Sequence, residues 1–296
     1  MDIKLTEDQT QLQDIASKFM DNHCTFDFVR KMEKDEGLGF CPDMWKQFAD
    51  MGWLGIIVPE EFGGMGMSTL DMVVLVREMG RHICPSPYLF TSVLAADVIA
   101  QAGTRRQKAA LLPEIVSGKT IYAFAYQEYS RFFKPEHIKL QAKRDGDNFI
   151  LNGTKLFVEF AEGADTIVVA ARTGRANSQS GLTLFLVDRN SAGISIKHMP
   201  TMSRDRHYQV DFNNVEIPTS ARLGKQSKGW EALEPSLHKT VIGFCAYTNG
   251  AGFEMHGYAT KYASERVPVS YTNLTQPTIY PEYISRAAEP AKKKTK

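Results

Sequence analysis

The period of the hydrophobic pattern changes twice along this chain, and these changes constrain the fold more than any other feature. Through residues 1–119 the apolar residues recur at helical spacing, whereas from there on they alternate with a period of two, which is typical of half-buried strands. Helical spacing then returns. We therefore predict an α+β multidomain chain: an N-terminal helical domain at 1–119, a middle antiparallel β-barrel or sandwich domain at 120–226, and a truncated C-terminal helical domain at 227–267.

Local signals place individual elements within these segments. Thr6 with Gln9 and Ser68 with Asp71 have the spacing of capping boxes, so helices are expected to begin beside them. The Asp-Gly pair at 145–146 predicts a hairpin between two alternating runs. The expected strands are 121–126, 138–143, 148–153, 156–160, 166–172, 182–188, 194–199 and 207–212.

The end of the chain differs from everything before it. A single apolar stripe predicts one long helix that runs to about Arg266, and Pro268 ends that pattern. Residues 268–296 contain several prolines before a lysine-rich end and have no sustained period. We expect this tail to be disordered or artefactual, since its sequence resembles translated sequencing-adapter read-through.

Charge and cysteine usage exclude several classes of function. The net charge of +1 gives no electrostatic reason to bind nucleic acid or an anionic membrane, and no apolar run reaches the length of a membrane span. The four cysteines lie far apart, and the histidines form no metal-binding motif, so no metal site is predicted. The acidic N-terminus lacks the apolar core of a signal peptide. A cytoplasmic location is therefore expected.

Seven stretches of the chain resemble, in order, one protein family. They are 53-WLGIIVPEEFGGMGMS-68, 112-LPEIVSGK-119, 142-AKRDGDNFILNGTKLFV-158, 164-ADTIVVAART-173, 211-DFNNVEIP-218, 223-LGKQSKGW-230 and 259-ATKYASER-266. Each motif is weak alone, but the ordered set is similar to the acyl-CoA dehydrogenase family across residues 1–266.

The resemblance implies a flavoprotein that binds FAD and oxidises an acyl-CoA thioester to its 2,3-enoyl form. In this family a glutamate removes the α-proton, and the β-hydrogen leaves as hydride to the flavin N5. The resemblance also implies a homo- or hetero-oligomer, because subunit contacts complete each FAD site, and an electron-transfer acceptor. The implied fold is a helical domain, a β domain and a C-terminal helical bundle, and most of that bundle is missing here.

Two departures from the family affect the expected flavin site. The family's T-E-P-x-x-G-S-D motif is here 127-QEYSRFFK-134, so bulky rings stand where glycine and serine would let the main chain approach a ligand. By resemblance, Tyr126 and Gln127 are candidates for cofactor binding and Phe133 for substrate binding. The family's W-I-T is here Phe157-Val158-Glu159, and we take Phe157 and Glu159 as further cofactor-binding candidates.

Two more departures concern catalysis and the subunit interface. Some branches of the family carry the catalytic glutamate at about the position of Thr240, and others carry it in the last helices of the bundle, more than 100 residues further on. This sequence offers neither, so no catalytic base is identified in it. His238 and Val241, one turn apart on the same helix, are candidates for substrate contact. In the family, the arginine that corresponds to Arg266 reaches the FAD diphosphate of the partner subunit, and Arg266 is therefore a cofactor-binding candidate.

Two hypotheses follow from this comparison. In the first, the protein is a FAD-dependent acyl-CoA dehydrogenase. In the second, it is a non-catalytic partner subunit of a heteromeric acyl-CoA dehydrogenase, with a degenerate flavin loop. The stretch 77-REMGRHICPSPYLFTSVLAADVI-99 resembles a branch with paired unequal subunits that acts on bulky thioesters, including steroid side chains. The flavin loop and the missing base distinguish the two.

Overall fold

The computed structural model describes residues 4–34, 37–130, 134–174 and 180–266. Helices form the first part of the chain, and a sheet and one long helix follow. The helices before the sheet are α1 (Glu7–His23), α2 (Phe26–Lys34), α3 (Pro42–Asp50), α4 (Thr69–Arg81), α5 (Ala96–Ala102) and α6 (Arg105–Val116). Both predicted capping boxes are confirmed, at Thr6 for α1 and at Ser68 for α4.

A π-helical segment, Leu89–Ala95, runs directly into α5 and joins the helices to the sheet. The Thr91 hydroxyl accepts a hydrogen bond from the main-chain N–H of Tyr122 at 3.0 Å and donates one to the carbonyl of the same residue at 2.9 Å. Because Tyr122 begins the first strand, this side chain satisfies polar main-chain groups that the sheet leaves free. Such π segments are frequent at functional sites.

The sheet contains the described strands β1 (Tyr122–Ala125), β2 (Gln141–Asp145), β3 (Asn148–Glu159), β4 (Thr166–Arg172), β5 (Leu182–Asp188), β6 (Ile194–Met199), β7 (His207–Pro218) and β8 (Arg222–Leu223). They follow the order β6-β7-β3-β2-β4-β5-β8, and β1 pairs with β4. Most neighbours are antiparallel, as predicted. The pairings of β1 and β2 with β4 are parallel, so the sheet is mixed.

The predicted strands at 148–153 and 156–160 are one twelve-residue strand, β3. It pairs with β7 along most of its length, through register shifts after Leu151 and after Lys155. Gly153 sits in the first of these irregularities with φ +142°, a conformation that side chains rarely adopt. The apparent gap in the alternation is therefore a bulge within a continuous strand.

The last helix, α7 (Gly229–Glu265), crosses α4 at very short range. A Cβ atom added to Gly80 would lie 2.0 Å from the carbonyl oxygen of Tyr247, and one added to Gly250 would lie 2.0 Å from the carbonyl oxygen of Arg77. Arg81 of α4 also pairs with Glu254 at 2.8 Å. The molecule divides into two units, the first ending at Glu254 and the second beginning at Met255.

The close crossing predicts opposite effects for two alanine substitutions in α7. Gly250→Ala should lower the free energy of unfolding by about 1–3 kcal/mol, because its methyl group would collide with the main chain of α4. Gly252→Ala is the matched control: its Cβ meets nothing within 4 Å, and alanine favours a helix over glycine by up to about 1 kcal/mol. Urea unfolding of both variants tests this, and equal effects would contradict a tight crossing.

Candidate functional site

A cavity of about 320 Å³ lies between the helices and one end of the sheet. Most of its wall is apolar and comes from α2, the π-helical segment and α7. The apolar lining includes Val29, Met32, Leu89, Phe90, Phe244 and Tyr247. The volume is within the range of small-molecule sites, which are usually apolar with a few placed polar groups.

Glu159, Asp205 and His207 lie together on the polar wall of this cavity, which Glu33, Arg204 and Arg206 also line. His207 Nε2 lies 3.1 Å from Asp205 Oδ2, and His207 Nδ1 lies 3.6 Å from Glu159 Oε1. The side chains of Glu159 and His207 are only 17% and 16% exposed. The imidazole therefore lies between a buried carboxylate, Glu159, and a half-exposed one, Asp205.

The pairing of β3 with β7 brings these groups together. Glu159 is the last residue of β3 and lies directly opposite His207, the first residue of β7. Just before it, Phe157 has φ +53°, in the left-handed region, within the second register shift. This irregularity leaves the Phe157 ring 39% exposed, with its centroid 5.9 Å from the His207 ring in an edge-on arrangement.

Burial and local charge change the protonation of the cluster. Burial raises the pKa of Glu159 to about 7, although the charge of His207 opposes this change. Burial alone would lower the pKa of His207, but the hydrogen bond to Asp205 and the charges of both carboxylates raise it overall. Burial alone would raise the pKa of Asp205. Hydrogen bonds from His207, Ser203 and Thr201 outweigh the effect of burial, so the pKa of Asp205 is lowered overall. Burial thus favours the neutral form of Glu159, and the neighbouring carboxylates favour the charged form of His207.

The raised pKa of Glu159 predicts a pH-dependent effect of Glu159→Gln on stability. A group with a raised folded-state pKa stabilises the fold below its unfolded pKa, and that contribution is lost as the pH rises through about 7. Relative to wild type, the variant should gain about 2–3 kcal/mol in free energy of unfolding between about pH 5 and about pH 8.

Urea unfolding at a series of pH values measures this gain. Glu162→Gln changes a nearby carboxylate that is 45% exposed, and this control should follow the wild type throughout. A constant difference between Glu159→Gln and wild type over the whole range would show that Glu159 is not buried as described.

A second buried ion pair supports the strand beside the cluster. The Lys155 side chain is fully buried, and its Nζ lies 2.8 Å from Glu128 Oε1. Burial lowers the pKa of Lys155 to about 8, despite the attraction of Glu128. The carboxylate of Glu128 also accepts hydrogen bonds from the main-chain N–H groups of Lys139 and Leu140 at 2.8 and 2.9 Å. Glu128 thus joins the chain after β1 to β3 and to the start of β2.

Removing the two partners of this pair should have unequal effects. Glu128→Gln leaves a buried, uncompensated ammonium and should destabilise the protein by about 3–5 kcal/mol. Lys155→Met should cost less, because Glu128 keeps its two main-chain donors. Glu114→Gln, at an exposed pair with Lys119, should change stability by less than about 1 kcal/mol. Thermal and urea unfolding measure all three, and equal losses would refute a buried pair.

The structure brings four of the sequence-predicted site residues to this end of the sheet. Burial raises the pKa of the Tyr126 phenol, and the nearby charge of Glu159 adds a smaller increase. The carbonyl of Gln127 accepts a hydrogen bond at 2.9 Å from the N–H of the residue before Phe157. Phe133, the predicted substrate contact, lies outside the described residues.

The α7 candidates lie elsewhere. His238 is exposed and Val241 is 56% exposed, and neither lines the cavity. Thr240, at the position where some family members have the base, is buried and donates its hydroxyl proton to the carbonyl of Ser236 at 2.8 Å. In the second unit, the Arg266 guanidinium lies 6.0 Å from the centroid of its neighbouring Tyr262 ring.

Sequence reasoning found Glu159 but missed the other two groups beside it, Asp205 and His207. His207 gives no motif signal, and Asp205 lies in the loop before β7. The one relevant feature of the sequence is an acidic residue at the end of one strand and a histidine at the start of another. The structure pairs them, Glu159 at the end of β3 with His207 at the start of β7. Phe244, which lines the cavity, belongs to the apolar stripe that predicted α7, whereas Tyr247 lies outside that stripe.

The chain belongs to the acyl-CoA dehydrogenase family. The family's N-terminal domain matches residues 6–119, and its middle domain matches residues 123–215. Members of the family are FAD-dependent. In the described part of the chain no helix has the length and apolarity to cross a membrane.

Similar proteins are consistent with this assignment. The acyl-CoA dehydrogenase FadE29 of Mycobacterium tuberculosis is 30% identical over 82% of this chain, which spans 63% of that protein. A solved Tcur3481-Tcur3483 steroid ACAD has a TM-score of 0.81 and 26% identity, with 97% of this chain and 72% of that chain covered. The ChsE4-ChsE5 complex from Mycobacterium tuberculosis shares the fold, with a TM-score of 0.79 and 24% identity over 91% of this chain and 70% of that one.

The residues at the end of β3 fit part of what a flavin requires. The half-exposed Phe157 ring provides an aromatic face suited to a planar heteroaromatic ring. The main-chain carbonyls of Tyr126 and Gln127 beside it already accept hydrogen bonds from Lys155 Nζ and from the N–H of Leu156. Ionised Glu159 adds negative charge to the same region, and its raised pKa limits this cost near neutral pH.

Proposed function

We propose that this chain takes part in the FAD-dependent α,β-oxidation of an acyl-CoA thioester to the enoyl-CoA. The observation that carries this proposal is the cavity itself, with an apolar wall from the helices and a polar wall from the ends of β3 and β7. An apolar acyl group suits the first wall, and a thioester carbonyl suits the second. When bound, FAD would supply the hydride acceptor.

The roles proposed for individual residues follow from their places. Tyr126, Gln127 and Phe157 would orient the flavin ring, and Glu159 would set the charge beside it. Exposed His238 and Val241 are proposed to contact substrate or another subunit, and Phe133 to contact substrate. Arg266 is proposed to reach a cofactor in a partner subunit.

We also propose domain boundaries, partners and a location. The boundaries near 119/120 and 226/227 are supported by the start of β1 at Tyr122 and of α7 at Gly229. The boundary near 267/268 and the predicted tail at 268–296 lie outside the described residues. The proposed partners are a family subunit, in a homo- or hetero-oligomer, and an electron-transfer acceptor. A cytoplasmic location is supported by free thiols at Cys24, Cys41, Cys84 and Cys245.

The second candidate function is that of a non-catalytic partner subunit. It is favoured by the position of Thr240, which is buried and directed at its own helix, so α7 offers no carboxylate there. The fold is also shared with a complex of two named components, ChsE4 and ChsE5. In this reading the chain would support a site whose chemistry a sister subunit completes.

Flavin content after purification distinguishes the two functions. If the chain is the dehydrogenase, the protein purified alone should retain FAD, and an acyl-CoA added without oxygen should bleach the flavin absorbance. If it is a partner subunit, it should lack flavin alone and form a flavin-containing complex with a sister subunit. Absence of flavin in both preparations would reject both proposals.

A further inference from the structure

The guanidinium of Arg206 is a buried cation on the cavity wall, and no described carboxylate pairs with it. The residue is 8% exposed and lines the cavity of about 320 Å³. Within the described residues its side chain makes one hydrogen bond, a long one of 3.4 Å from Nη2 to the carbonyl of Met32. Arginine is almost never buried without a partner, because an uncompensated buried charge is costly. The chain by itself therefore leaves this cation incompletely satisfied.

The carboxylates on the same wall are paired with other cations. Glu33 Oε2 lies 3.6 Å from Arg204 Nη1, and Asp205 Oδ2 lies 3.1 Å from His207 Nε2. Arg206 is thus the arginine of this wall that lacks a counterion in the described part of the chain. A ligand with negative charge would supply it.

Glu159 is also a poor counterion for Arg206. Burial raises the pKa of Glu159 to about 7, which favours its neutral form, and the cation nearest to its carboxylate is His207, at 3.6 Å. The charge of Arg206 is therefore left to interact with whatever enters the cavity.

The Arg206 side chain is held in place and still accessible to a ligand. A Cβ atom added to Gly39 would lie 2.1 Å from Arg206 Cγ, so the aliphatic stem packs directly on the main chain there. The carbonyl of Arg206 accepts a hydrogen bond from the N–H of Phe160 at 2.9 Å. Nε and Nη1 have no partner among the described residues, yet neither is closed off from solvent. Such a preorganised donor loses little entropy when it binds.

The surroundings of Arg206 favour a carboxylate over other anions. The planar fork of a guanidinium matches the two oxygens of a carboxylate. A phosphate monoester carries a charge of about −1.5 to −2 at neutral pH, and the nearby carboxylates of Glu33 and Asp205 would repel the extra charge. The opposite side of the cavity is apolar and includes Phe90 and Phe244, whose ring centroids lie 5.7 Å apart. A single carboxylate on an apolar chain suits both sides.

We propose that Arg206 is a specificity-determining residue that binds a carboxylate at the far end of an acyl group in the cavity. The preferred ligands are then thioesters of dicarboxylic acids, in which the second carboxyl group is free. The thioester end of this ligand rests on the function proposed above. The apolar part of the acyl chain would lie along the helices, and its carboxylate would accept hydrogen bonds from Nε and Nη1 of Arg206.

Binding of matched thioesters to the full chain tests this proposal. Adipoyl-CoA and hexanoyl-CoA have the same number of acyl carbons and differ in the terminal carboxylate, as do suberoyl-CoA and octanoyl-CoA. Equilibrium dialysis measures the four dissociation constants. In at least one pair the wild type should bind the carboxylate member about tenfold more tightly or better, as expected for hydrogen bonds to a charged group.

Variants at two neighbouring arginines locate the effect. Arg206→Met keeps the aliphatic stem and should abolish the preference, while hexanoyl-CoA and octanoyl-CoA bind within about twofold of wild type. Arg206→Lys keeps the charge without the fork and should retain a reduced preference. Arg204→Gln is the matched control, since that side chain is 74% exposed, and it should keep the full preference.

Thermal unfolding distinguishes a lost site from a lost fold. Without ligand, Arg206→Met should unfold at a temperature no lower than wild type, because it removes a buried charge that has no counterion. Monomethyl adipate, which carries the carboxylate without CoA, should raise the unfolding temperature of the wild type and not that of Arg206→Met. Dimethyl adipate and inorganic phosphate should affect both proteins equally.

The outcomes separate this inference from the proposed function. Equal binding within both thioester pairs, or a preference that persists in Arg206→Met, overturns the carboxylate site and leaves the proposed function standing. If none of the four thioesters binds but monomethyl adipate stabilises only proteins that retain Arg206, the carboxylate site stands and the proposed function is rejected. Absence of both responses rejects both.

Discussion

The pairing of β3 with β7 is the constraint on which the rest of the site depends. These two long strands stay paired through two register shifts, and the second shift sets which residues face each other at the end of the ladder. Had the register slipped by one residue, the side chain at this end would have turned to the other face of the sheet. Instead Glu159 and His207 lie opposite each other and close one wall of the cavity.

Buried charges hold the chain segments around this ladder. Lys155 of β3 pairs with Glu128, which in turn accepts main-chain hydrogen bonds from the segment before β2. Arg172, at the end of β4 and 1% exposed, donates to the carbonyl oxygens of Pro135, Ile138 and Ser180. Both cations pair with polar groups that would otherwise lack partners. Removing either cation is therefore costly, and each holds the chain segments it contacts in one arrangement.

The helices supply the other half of the cavity, and they do so by close contact. The glycines of α4 and α7 let the two helices approach until main chain meets main chain. This contact fixes α7, which contributes Phe244 and Tyr247 to the cavity lining. Ser236 of α7 donates a hydrogen bond to Asp97 of α5 at 2.6 Å, and Lys239 pairs with the same carboxylate. The apolar wall is thereby held against a polar wall that the sheet positions independently.

The sequence alone determined the order of helices, sheet and long helix, the two capping boxes and nearly every strand, because these depend on periodicity and on contacts within a few residues. It also carried the family resemblance, whose motifs are local. Only the tertiary structure decided that β1 joins the sheet parallel to β4 and that two expected strands are one, since both depend on distant partners. It alone set Glu159 against His207, because a bulge after Lys155 changes facing in a way that alternation does not record.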